Sequence, residues 1–170
     1  MPPAVTDQLF NHRHSEALFQ QMPNLHFSIV QDKTWALGEL AQTYLDFYGI
    51  NFAKIRPGIE HGFGAVDIGG FRIATHYWLP EKPKATLVIV HGYYDHVGLY
   101  GKAIEFGLAQ GFAVLAFDLP GHGLSSGERA SIDAFDRYAD VLDVLEHGFQ
   151  TGLRGGVAQV LDRAPVLHRT

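Results

Sequence analysis

Hydrophobic and polar positions change their rhythm once along this chain, near residue 86. Upstream, Phe63–Ile68 and Phe71–Leu79 alternate like half-exposed strands and flank Gly69-Gly70, a two-residue hairpin signal, with Pro80 and Pro83 closing the second run. From Thr86 to Val90 the residues are apolar without alternation, as in a parallel strand covered on both faces. Tyr100, Ala103, Ile104, Gly107 and Leu108 then share one helical face, and Gly111 stops that helix. Phe112–Phe117 is a second buried strand. Ser131 caps a helix over about 132–147, with Ile132, Phe135, Tyr138, Leu142 and Leu145 inward and Gly148 as its stop. Strand, helix, strand, helix at short spacing predicts a right-handed βαβ unit.

The flanks are less regular. Asp32 is a cap for a helix over about 33–48, with Trp35, Leu40, Tyr44 and Leu45 among its apolar positions and Gly49 as its stop. Residues 50–62 read as loop because of Pro57, Gly58 and Gly62. Residues 1–31 are weakly patterned. After 148, Gly152, Arg154, Gly155 and Gly156 break structure and Val157–Leu161 is a weak apolar run. The expected class is α/β, a three-layer αβα arrangement in which a β-hairpin lies beside parallel strands 86–90 and 113–118 covered by helices 99–110 and 132–147. Its organisation reads as a helical extension over 1–62, the sheet-bearing unit over 63–148 and a divergent or truncated tail over 149–170.

Composition narrows the chemistry. A chain of 170 residues, 46% hydrophobic and 18% charged, is globular and long enough for one core. A net charge of −5 offers no nucleic-acid footprint. With no cysteine there are no disulfides, thiolate metal sites or Cys nucleophiles. MPPAVTDQLF lacks the features of a secretory leader, and the run Ala85–Val90 is too short to span a bilayer. The expectation is a cytoplasmic protein with no transmembrane segment.

Ligand sites of open α/β sheets lie beyond the carboxyl ends of parallel strands. There this chain carries His91-Gly92-Tyr93-Tyr94-Asp95-His96 and Asp118-Leu-Pro-Gly-His122-Gly-Leu-Ser-Ser-Gly127-Glu-Arg129. Gly123-Leu-Ser-Ser-Gly127 satisfies G-x-S-x-G, yet Ser125 lacks the strand–turn–helix context of a nucleophile elbow: Leu-Pro-Gly-His intervenes after the strand, and the helix waits until about Ser131. Ser28 and Ser131 lack that context too. Asp162 and His168, the acid and base candidates after residue 147, follow no recognisable strand.

His91-Gly92, Asp95-His96, Tyr100 and 118–129, taken in that order, resemble the monoacylglycerol lipase and lysophospholipase branch of the α/β-hydrolases, over roughly residues 63–147. The resemblance implies the N-terminal half of that fold and hydrolysis of small acyl-ester or lipid-like substrates. It implies that the backbone N–H of Tyr93 belongs to an oxyanion hole, with His91 and Gly92 shaping the loop, and that the 118–127 loop is structural. It implies no cofactor or metal. The nucleophile, acid and catalytic His have no counterpart, so the chain is expected to be a fragment, inactive alone, self-associating through strand 86–90.

Competing readings are a metal-dependent hydrolase using His91, Asp95, His96, Asp118 and His122, and a non-catalytic interaction module on the half fold. A nucleotide site at Gly121, Gly123 and Gly127 fails, because those glycines do not open a helix directly.

Overall fold

The computed structural model describes residues 10–27 and 37–153. Strands β1 (Ile59–Ile68) and β2 (Phe71–Pro80) form the antiparallel hairpin about Gly69-Gly70. Strands β3 (Thr86–Val90) and β4 (Ala113–Phe117) run parallel, with Val90 opposite Phe117. β4 also pairs antiparallel with β2 over Thr75–Trp78, giving the sheet order β1-β2-β4-β3. The unalternating apolar runs are explained by helices on both faces. Val114 and Ala116 of β4 join the core under α1 (His12–Gln21), α2 (Glu39–Tyr48) and α4 (Gly101–Ala109), while Ala113, Leu115 and Phe117 face α5 (Asp136–Leu153). The expected three-layer order is therefore present.

Several expectations need correction. The 50–62 stretch holds the short helix α3 (Phe52–Ile55) and the start of β1, so a boundary at 62/63 falls inside a strand. Gly62 read as a loop glycine; it is a strand residue paired with Tyr77, whose ring occupies the space where a Cβ would stand, 2.0 Å from Tyr77 Cε1. The N-terminal helices are not a separate unit. Leu18, Met22, Tyr44 and Leu45 share one core with Phe63, Ala65 and Trp78. Residues 23–25 pair with Ala65 through Leu25 N–H to Ala65 O at 2.8 Å and Ala65 N–H to Pro23 O at 2.7 Å, which satisfies the free edge of β1 at that residue. Helix α1 itself starts at a capping box between Asn11 and His14 within the weakly patterned N-terminus. The helix expected from 33 begins at Glu39 and stops at Gly49 as anticipated; Asp32 and Trp35 lie outside the described residues.

The last helix shifts most. Ser131 is not its cap: α5 starts at Asp136 and runs through Gly148 to Leu153, with Val141, Leu145 and Phe149 buried. Phe135, expected inward, is 82% exposed. Residues 149–153 thus continue this helix, and the remainder of the expected tail lies outside the described residues. Among the described residues no helix is long and apolar enough to cross a membrane.

Candidate active site

Because β3 and β4 are parallel neighbours, the loops at their carboxyl ends emerge side by side and lock each other. Buried His91 accepts the Leu119 N–H at Nε2 (2.9 Å). Its Nδ1 therefore carries the proton and donates to Gly92 O at 2.8 Å. In return the Asp118 carboxylate, fully buried, bridges the two loops: Oδ1 accepts Val97 N–H at the end of the first at 2.8 Å, and Oδ2 accepts Leu124 N–H of its own loop at 2.9 Å. A buried carboxylate is tolerable when backbone donors satisfy it. Gly123 is required here, since its φ is +49° and a Cβ would stand 2.2 Å from Asp118 Oδ2.

The first loop is a tight turn closed by Asp95 N–H to Gly92 O at 3.1 Å. Gly92 N–H donates to Tyr100 Oη (2.9 Å), which donates on to Asp95 Oδ2 (2.9 Å), so Tyr100 and Asp95 brace the turn. Tyr94 is held at φ +65°, a left-handed conformation that a bulky residue adopts at a cost of order 1–3 kcal/mol. Among the described residues the Tyr93 N–H meets no hydrogen-bond acceptor, whereas the Tyr93 hydroxyl donates to Ala130 O at 2.6 Å and ties the turn to the second loop. That leaves a fixed backbone donor uncommitted at the strand end, with its side chain 63% exposed.

His96 and His122 organise these loops. His96 Nδ1 accepts Gly98 N–H at 3.2 Å and its ring stands edge-on to Tyr48; burial lowers its pKa, partly offset by the Asp118 charge. His122 is buried, with Nδ1 donating to Pro120 O at 3.0 Å and Nε2 without a partner among the described residues. The metal reading fails on this geometry. Both nitrogens of His91 and both oxygens of Asp118 are taken by the loops, and no three ligating side chains converge among the described residues.

Ser125 has a different task from the one its pattern suggests. Its Oγ donates to Asp118 O at 2.6 Å and accepts Ala74 N–H at 2.9 Å. Ser126 Oγ accepts Arg72 N–H at 2.8 Å, and Ser126 N–H donates to Arg72 O at 2.9 Å. The two serines extend the hydrogen-bond ladder of β2 where its pairing with β4 ends, a role that no sequence pattern announced. The glycines of this loop open no helix, since α5 begins only at Asp136. Ser131 is exposed and lies in a turn; Ser28, Asp162 and His168 lie outside the described residues.

Between this loop pair and the N-terminal helices is an open cleft of about 1040 Å³, walled by α1, by Tyr44 and Tyr48 of α2, by residues 94–96 and by residues of the 121–130 loop. It is large enough for a drug-sized ligand.

Residues 81–152 match the family described as serine aminopeptidase, S33. The monoacylglycerol lipase of Mycolicibacterium smegmatis is 35% identical over 82 residues, covering 48% of this chain and 29% of that protein. Phospholipase YtpA of Bacillus subtilis is 36% identical over 66 residues, covering 39% of this chain and 26% of that protein. A thermostable carboxyl esterase from Bacillus coagulans superposes with a TM-score of 0.48 at 20% identity, covering 56% of this chain and 34% of that one. The chain thus spans less than a third of the length of these two sequence relatives.

Proposed function

We propose that this chain, whose residues 81–152 fall within the α/β-hydrolase family, supplies the oxyanion side of a serine carboxylic ester hydrolase acting on acyl esters of the monoacylglycerol or lysophospholipid type. The observation that carries the reading is the 91–96 turn. Its Tyr93 N–H is left uncommitted, its backbone is strained at Tyr94, and the buried Asp118 and His91 hold it in place. Preorganised backbone donors of this kind stabilise the negative oxygen of a tetrahedral intermediate, and loss of one costs about 10²–10³ in rate. Chemistry also needs a nucleophile. Ser125 is committed to its own loop, so on this reading turnover requires a nucleophile other than Ser125, and the chain alone is expected to be inactive.

The test is labelling with a fluorophosphonate together with an esterase assay on a monoacylglycerol. The chain alone should show neither. The same chain joined to a strand–G-x-S-x-G–helix segment with its acid and His should gain both, and Tyr93→Pro, which deletes the N–H, should then lower kcat by about 10²-fold or more. Labelling of Ser125 in the chain alone would overturn the reading.

An interaction module is the second reading, favoured by the β3 edge, which carries no charge from Thr86 to Val90 and leaves Val90 47% exposed. On this reading a second copy pairs along β3. Concentration-dependent association, abolished by Val88→Lys, supports it; a monomer at all concentrations refutes it.

A further inference from the structure

The cleft beside the loop pair offers no excess charge to a ligand. Two guanidiniums on its lining, Arg13 and Arg129, are matched by two carboxylates, Glu16 and Asp95. What the lining does hold is unmet hydrogen-bonding capacity. Among the described residues four buried side-chain polar atoms have no partner, and two of them, His122 Nε2 and Tyr44 Oη, belong to residues that line this cleft.

His122 is the informative one, because its neighbours define its chemistry. The residue is 5% exposed. Its Nδ1 lies 3.0 Å from Pro120 O, which only accepts, so in the neutral ring Nδ1 carries the proton and Nε2 keeps a lone pair. The residue that would supply the oxyanion donor stands beside it. The Tyr93 ring is edge-on to His122, with 5.6 Å between centroids, and its hydroxyl donates to Ala130 O at 2.6 Å. A side chain of the first turn therefore spans to the second loop next to the imidazole. That side chain is 63% exposed and tied at its tip by a single hydrogen bond, so it can swing aside without disturbing the core.

We infer that His122 is a substrate-binding residue: its Nε2 accepts a hydroxyl from the alcohol part of the ester, admitted as the Tyr93 side chain swings aside. An acceptor with no proton to give selects an O–H or N–H donor, and it leaves a carboxylate or phosphate oxygen facing a lone pair. The balanced lining has no carboxylate in excess to favour a cation, so the donor it suits is a neutral hydroxyl. An unmet buried acceptor is costly, so the group that meets it gains more than it would in water. Tyr93 then serves both halves of the substrate, its N–H the acyl oxygen and its side chain the entry of the alcohol. Calling the ligand the alcohol part of an ester rests on the hydrolase reading. Binding itself needs no nucleophile, so failure of binding and failure of the turnover test are separate results.

The purified chain is titrated with 1-monobutanoylglycerol, with its isopropylidene ketal, in which both hydroxyls are masked, and with methyl butanoate, following amide chemical shifts. The free diol should bind at least about tenfold tighter than either masked ligand, with shifts centred on residues 93–95 and 121–123. His122→Asn keeps an N–H for Pro120 O and deletes the Nε2 acceptor, so it should weaken the diol about tenfold. His122→Gln brings an amide oxygen near the place of Nε2 and should restore much of that loss. Tyr93→Phe frees the tip of the side chain and should bind the diol at least as tightly as the unsubstituted chain. The three-ligand comparison needs no substitution, so it decides even where a variant fails to fold. No binding of the diol, equal affinity for the masked ligands, shifts remote from His122, equal diol affinity in His122→Asn, or weaker binding in Tyr93→Phe would each overturn the inference.

Discussion

At the scale of single residues, hydrogen-bond bookkeeping assigns Ser125. A hydroxyl has one proton to give, and this one is given to Asp118 O; a lone pair answers Ala74 N–H. Ser125→Ala would leave that part-buried N–H and carbonyl without partners, so a loss of about 1–3 kcal/mol in unfolding free energy is expected in urea titrations. The mirror expectation is chemical: a fluorophosphonate gives no adduct at Ser125 in the folded chain. Asp118 is held to a stricter standard, because both its oxygens receive backbone N–H groups. Asp118→Asn would turn an amide donor toward one of those donors, at a cost of about 2–3 kcal/mol, measurable as an earlier unfolding midpoint. These assignments were only partly legible in the sequence. That the 118–127 loop is structural was legible through the family resemblance. The reach of Asp118 across to Val97, and the serines' reach to β2, depend on which strands become neighbours, which local spacing does not encode.

At the scale of elements, legibility followed burial. β4 was readable because both its faces are covered, which forces uninterrupted apolar residues; β3 was readable because Leu87 and Ile89 pack into one core cluster and Val88 into the other, and the hairpin was readable from its double glycine. The start of β1 was hidden because Gly62 serves a ring on the partner strand, and glycine in isolation signals a turn. α5 was misregistered because Ile132 and Phe135 sit at helical spacing with Tyr138 although the chain there is irregular. The register can be checked directly. Leu145, fully buried against the sheet, should cost about 2–5 kcal/mol on mutation to Ala. Phe135→Ala should change stability by no more than about 0.5 kcal/mol, because Phe135 is 82% exposed. A large effect at Phe135 would mean that the helix starts where its pattern, rather than its packing, places it.

At the scale of the whole molecule, acid should unfold this chain earlier than its carboxylates alone would. On the sheet face beneath α2, His61 Nε2 and His76 Nδ1 lie 3.1 Å apart, within a stack that includes Phe63, Trp78 and Tyr44. A neutral imidazole has one N–H, so a single proton serves the pair, and His61 Nδ1 and His76 Nε2 remain without partners among the described residues. Burial holds His61 down to about 3; burial and then the His61 charge hold His76 well below its usual value, with His96 adding in the same sense. Around the pair, Tyr44 is itself pushed up by burial and by Asp118, so no neighbour is ready to neutralise an imidazolium. Both histidines are therefore neutral when folded and free to protonate near pH 6.5 when unfolded. Below that pH the unfolded chain binds more protons, so the stability is complete above about 6.5 and is lost as pH falls from there toward about 3, where His61 titrates in the folded state. Each histidine contributes a slope of about 1.4 kcal/mol per pH unit once well below 6.5, or nearly 3 kcal/mol per unit for the pair. The window from pH 6.5 to 5 is diagnostic, because ordinary carboxylates remain ionised there. Urea unfolding across that window should show a steep fall, and His76→Gln, whatever its effect at pH 8, should flatten the slope. A wild-type unfolding free energy equal at pH 5.5 and 7.5 would mean that the pair is solvated or already charged in the folded protein.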